Sequence, residues 1–119
     1  MTKVEITVNK SITLQADWED NVTARTLLSQ MPFSIKMSNL YGREMCHRFG
    51  AGSLPVKGSQ NSAYVIGDIA YWPPMGSLVI LYDQNGEVFE QVPIGHISQD
   101  LHFFEGMDKA ELTFRKVEN

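Results

Sequence analysis

One cysteine, Cys46, stands in a chain of 119 residues, so no disulfide can staple the chain to itself. Burial of apolar surface must hold the fold. Basic residues are scarce as well: ten lysines and arginines against fourteen acids leave a formal net charge of −4, and the densest cationic stretch is the pair Arg115 and Lys116. Without a basic stripe to neutralise phosphates, nucleic acid is not an expected partner. Long apolar runs are missing too. The longest aliphatic run, "LVIL" at residues 78–81, falls far short of the roughly 20 residues of a membrane helix. The N-terminal "MTKVEITVNK" alternates polar and apolar residues where a signal peptide would carry an apolar block. These absences together imply a soluble protein of a reducing cytoplasm with no membrane partner, and they leave a homo-oligomer open.

What the chain does have is a period of two. In "KVEITVNKSITLQADW", Val4, Ile6 and Val8 alternate with Glu5 and Thr7, and Ile12, Leu14 and Ala16 alternate with Thr13 and Gln15, around the turn residues Asn9, Lys10 and Ser11. This is the pattern of a hairpin. Phe33, Ile35 and Met37 mark a third strand, "REMCHRF" a fourth, and "AYVI", "IAYW", "SLVILYD", "EVFEQVPIGHI" and "KAELTFRKV" add further short ones. The Asn85-Gly86 pair in "DQNG" predicts a hairpin between the runs on either side. One stretch reads differently. In "EDNVTARTLLSQMP", Asn21 is placed to cap a helix over 22–30 that carries Leu27 and Leu28 and stops before Pro32. Residues 50–63, "GAGSLPVKGSQNSA", lack periodicity and predict a long exposed loop. With 43% hydrophobic residues, eight or so short strands and one clear helix, the chain reads as a single mainly-β domain over 1–119, a barrel or a sandwich.

Few side chains suggest chemistry. Alternation in "EMCHRF" puts Arg48 on the face of Glu44 and Cys46, opposite Met45, His47 and Phe49. There its guanidinium either pairs with Glu44 or offers its fork of donors to a carbonyl or carboxylate in a groove. The spacings of His47, His96 and His102 match no metal-binding motif, so neither a metal nor another cofactor is expected. Asp68, after Gly67, suits an aspartate bonding nearby amides in a turn, and Cys46 lacks a nucleophile signature and is expected buried. Pro73 and Pro74 cannot continue a ladder and must leave the sheet at an edge or rim. Tyr71, Trp72 and Met75 beside them therefore form a candidate pocket floor, joined by His96 at a strand end after Pro93 and Gly95.

In this order, "NVTARTLLSQMP", "GDIAYWPP" and "VPIGHIS" resemble the small prokaryotic cyclophilin-like proteins over most of the chain. The resemblance implies a closed eight-stranded antiparallel β-barrel with one or two short capping helices. True cyclophilins, the wider relatives, are peptidyl-prolyl isomerases that use an arginine of an "FHR" motif, and "CHRF" sets Arg48 behind His47. Arg48 is then the implied catalytic residue, its donors weakening amide resonance and so lowering a barrier of about 18 to 20 kcal/mol. Where those enzymes continue with "FMxQGG", this chain has "GAGSLPVKGS". The expectation is therefore a barrel that binds a peptide segment or small ligand in a rim groove between Arg48, the 50–63 loop and residues 71–75. A weak isomerase using Arg48 is the alternative, and whether the protein is an enzyme stays open.

Overall fold

In a computed structural model that describes residues 2–117, the alternation of the first twenty residues becomes two antiparallel strands, β1 (Thr2–Val8) and β2 (Ile12–Trp18). Val4, Ile6 and Val8 lie opposite Ala16, Leu14 and Ile12. Asn9 and Lys10 join them at φ 51° and 58°, the left-handed pair that a tight hairpin turn of matching twist demands. Helix α1 (Val22–Ser29) follows. Asn21 caps it by accepting the Ala24 N–H at 2.9 Å, while the Asn21 side-chain amide donates to Pro93 O at 2.7 Å and so ties the cap to the barrel. The helix buries Thr23, Ala24 and Leu27, and Trp18 Nε1 donates to Ala24 O at 2.9 Å.

The remaining strands are β3 (Phe33–Leu40), β4 (Glu44–Arg48), β5 (Gln60–Ser62), β6 (Asp68–Trp72), β7 (Ser77–Leu81), β8 (Phe89–Ile97) and β9 (Lys109–Lys116). Hydrogen bonding runs in the order β2-β1-β9-β3-β4-β7-β6-β8, and β8 returns to β2 through Ala16 with Ile97, Asp17 with His96 and Trp18 with Gly95. This is a closed eight-stranded antiparallel barrel, with β5 paired outside it against the start of β8. Its interior is filled by side chains, as a barrel of this size requires, among them Ile6, Trp18, Met37, Met45, Ile69, Tyr71, Leu78, Ile80 and Phe114. At the closing seam a Cβ on Gly95 would lie 2.6 Å from Asp17 O, so the two backbones approach where only glycine fits. Among the described residues no helix is long and apolar enough to cross a membrane.

Three local readings change. The runs flanking Asn85 and Gly86 do not pair with each other: β7 bonds to β4 and β6, and β8 to β6 and β2. The turn chemistry is nevertheless present, with Gly86 at φ 80° and Asn85 Oδ1 accepting the Glu87 N–H at 3.0 Å, inside a longer connection that passes over β6. "AYVI" is not a strand, since pairing stops at Ser62 and the chain enters β6 through a turn around Ile66 and Gly67, closed by the Asp68 N–H on Val65 O at 3.1 Å. Residues 50–59 are mostly exposed, yet Leu54 drops into the core and Pro55 O accepts the Thr23 hydroxyl at 2.6 Å.

Alternation also fails on one wall. All five residues of β7 are buried, because a second apolar layer of Cys46, Tyr64, Ala70, Val79 and Leu81 covers the outer face, with Phe89 packed against it. His47, on the same face of β4 as the buried Met45, is only half-buried, its Nδ1 2.9 Å from Lys36 O and its ring edge-on to Phe49.

Candidate functional site

The arrest after β6 shapes one end of this outer layer. Pro73, Pro74 and Met75 make a single 3-10 turn, and Gly76 ends it at φ 61° with its N–H on Pro73 O at 3.1 Å. A Cβ at position 76 would stand 2.0 Å from Gly50 O. Glycine thus lets the chain reverse at once into β7, where Ser77 pairs with Trp72. Because side chains alternate along β6, Tyr71 points into the barrel and Trp72 points out.

Arg48 ends β4 directly opposite Ser77. Its Nη1 donates to Ser77 Oγ at 3.2 Å and lies 3.1 Å from Met75 Sδ, and its guanidinium carbon sits 5.9 Å from the centre of the Trp72 ring. No carboxylate among the described residues pairs with it.

A pocket of about 310 Å³ opens beside this group. Arg48, Trp72 and Ser77 form one end, and Cys46 and Val79 the floor. At the far end lie Glu44 and Arg43, with Tyr41, Glu87 and Phe89 as walls. Arg43 is buried and fully engaged. Its Nε donates to Glu44 Oε1 at 2.8 Å, its Nη2 bonds the same oxygen, and its Nη1 donates to Glu87 Oε2 at 2.7 Å. Tyr41, Tyr64 and Phe89 surround its guanidinium at 5.5, 5.8 and 5.5 Å.

Burial works against the Arg43 charge, but the hydrogen bonds and charge of Glu44, then of Glu87, more than offset it and hold the guanidinium protonated. Burial pushes the Glu44 carboxyl above the usual carboxylate range, with the Arg43 hydrogen bonds and charge pulling back and Arg48 adding a weaker pull. Burial likewise raises the Cys46 thiol; Arg48 draws it down, Glu44 pushes it up, and a hydrogen bond to Ser77 draws it down again.

Of the residues singled out in the sequence, Arg48, Trp72 and Met75 come together at this end of the pocket. Tyr71 does not line it: the side chain is buried in the core, its hydroxyl 3.4 Å from Ser53 Oγ. His96 sits elsewhere, its Nδ1 2.9 Å from Asp68 Oδ1, on an open cavity lined also by Tyr82, Asp83 and His102. Asp68 takes the turn role expected of it, its Oδ2 accepting the Val65 N–H at 3.0 Å. Among the described residues no three His, Cys, Asp or Glu side chains gather in a way that could hold a metal ion.

Sequence reasoning missed Tyr41, Arg43, Glu87 and Phe89. One signal was present, since "YG" before "RE" is turn chemistry, and Tyr41 and Gly42 both adopt φ 61°. Glu87, contributed from 44 positions along the chain, left no such mark.

The sequence matches the Cyclophilin-like family over residues 6–115. Two solved structures share the architecture. The solution structure of the hypothetical protein AF2241 from Archaeoglobus fulgidus has a TM-score of 0.71 at 14% identity, covering 98% of this chain and 95% of that one. McbB, solved in complex with tryptophan, has a TM-score of 0.72 at 13% identity, covering 98% of this chain and 45% of that one. The chain therefore spans under half of McbB, and at these identities the likeness is one of fold. No curated protein matches the sequence.

Proposed function

The chain belongs to the cyclophilin-like family, and from that premise we propose that its outer-face pocket binds a peptide segment or small ligand, with Arg48 gripping a carbonyl or carboxylate. The carrying observation is the state of Arg48. It is an exposed guanidinium at the pocket's end, with one nitrogen engaged by a hydroxyl and a thioether and no ion pair to an acid among the described residues. Nε and Nη2, with no acceptor among the described residues, are left to a ligand, and Trp72 and Phe89 supply flat apolar surface. McbB, which shares this fold over 45% of its own length, was itself solved in complex with tryptophan, a molecule that joins a carboxylate to a flat ring. The single cysteine and the shortage of basic residues support a cytoplasmic protein working on small molecules or peptides, apart from nucleic acid and membranes.

A thermal-shift screen of proline peptides and small carboxylates tests the reading, since any ligand of the native state raises the melting temperature by mass action. The expected outcome is stabilisation of the wild type that falls at least ~10-fold in apparent affinity in Arg48→Ala, the loss of one charge-assisted bond. Silence across a broad set overturns it.

A weak peptidyl-prolyl isomerase is the second reading, favoured by Arg48 standing behind His47 with free donors on the pocket side. Cis/trans isomerisation of a proline peptide, followed with wild type and Arg48→Ala, decides it. Wild-type acceleration that the substitution abolishes is expected, and a wild-type rate equal to the uncatalysed rate would falsify it.

A further inference from the structure

Strand register sets the pocket floor. β4 and β7 pair Glu44 with Leu81, Cys46 with Val79 and Arg48 with Ser77. Side chains two apart share a face, so Glu44, Cys46 and Arg48 stand in one line, about 13 Å from first to last Cα at roughly 3.3 Å per residue. Along that line the floor runs from acid through apolar to base.

Both charged ends carry unused hydrogen-bonding capacity. Glu44 is only 5% exposed, and its Oε1 takes both bonds from Arg43 while its Oε2 has no protein donor among the described residues. Among the described residues no fully buried side-chain nitrogen or oxygen is left without a partner, so Oε2 opens on the cavity that Glu44 lines. At the other end Nε and Nη2 of Arg48 have no acceptor among the described residues. Counting charges, Arg43 with Glu44 and Glu87 leaves one net negative at the first end, and Arg48 leaves one positive at the second. An occupant that satisfies both presents an amine to one and a carboxylate to the other.

A lone α-amino acid carries both charges on one carbon and cannot reach both ends. An extended dipeptide spans about 7 Å, leaving about 6 Å for the Glu44 and Arg48 side chains to span between them. A volume of about 310 Å³ lies at the small end for ligand pockets and matches two residues better than a long peptide. Resting on the reading of this pocket as a ligand site, we infer that it takes a free dipeptide with apolar side chains. The ammonium bonds Glu44 Oε2, the carboxylate bonds Arg48, and the side chains lie over Cys46, Val79 and the Trp72 and Phe89 rings.

Calorimetry at pH 7 with leucyl-phenylalanine, its N-acetyl form, its C-terminal amide and free phenylalanine tests this on wild type, Glu44→Gln and Arg48→Ala. The free dipeptide is expected to bind, and each singly blocked form to bind about 10- to 100-fold more weakly, the loss of one charged hydrogen bond. The amide's penalty disappears in Arg48→Ala. The acetyl form's penalty disappears in Glu44→Gln, and if that variant does not fold, the amide arm alone decides. Blocked forms binding as tightly as the free dipeptide overturn the inference and leave the ligand-site reading standing. A dipeptide that fails where a proline peptide or carboxylate from the screen binds in an Arg48-dependent way does the same. Failure of every compound removes both.

Discussion

Arg43 and Arg48 lie on one short stretch and do opposite work. The first is buried, holds Glu44 and Glu87, and is ringed by aromatic faces. The second is exposed and forms no ion pair among the described residues. Between them Cys46 reports on the pocket's interior. Burial is the main cause of its raised thiol, so at pH 8 it holds less thiolate than a free cysteine. Alkylation by iodoacetamide should accordingly be slower than for a free thiol, with a rate that keeps climbing above pH 9, and slower again in Arg48→Ala because that charge pulls the thiol down. A Cys46 that reacts like free cysteine at pH 8 would refute this. At this scale the sequence was informative about Arg48, since alternation from Met45 fixes its face, and the buried fate of Cys46 followed from its isolation. The role of Arg43 was hidden, because Glu87 reaches it across 44 positions and no local pattern encodes that meeting.

The stretch from β6 through the Pro73–Met75 turn into β7 is the element that places Trp72 and Met75 beside Arg48. Its arrest could be read directly, because two prolines end a ladder and the glycine after them permits reversal. Period two along Ile69, Ala70, Tyr71 and Trp72 also separates Tyr71 from Trp72, a distinction that grouping the aromatics by proximity passed over. Gly76→Ala tests the element. A left-handed φ and a Cβ at 2.0 Å from Gly50 O act together, so stability should fall by about 2 to 3 kcal/mol in urea denaturation, with the Arg48 end of the pocket displaced. A loss under ~0.5 kcal/mol would show that the 50–59 loop yields freely. The Asn85-Gly86 misreading belongs here as well: local turn chemistry forecasts a turn, and which strand lies next door is decided by residues far away.

For the whole molecule, the number of strands was legible and their order was not. A period of two says which face is buried and nothing about which strand is the neighbour. Closure rests on three residue pairs between β2 and β8, against seven between β1 and β2. Gly95→Val attacks that short seam, its side chain meeting Asp17 O and the Trp18 ring, and should lower the melting temperature by on the order of 10 °C. An unchanged melting temperature would mean that the barrel does not depend on closing there. Because β7 turns Leu78 and Ile80 to the interior and Ser77, Val79 and Leu81 to the outer layer, it is a party wall between two packed rooms. The pocket floor cannot give without disturbing the barrel packing behind it. If the pocket is the proposed ligand site, its occupant would therefore meet a surface shaped in advance, lose little to rearrangement, and be discriminated by size at the level of a single methylene.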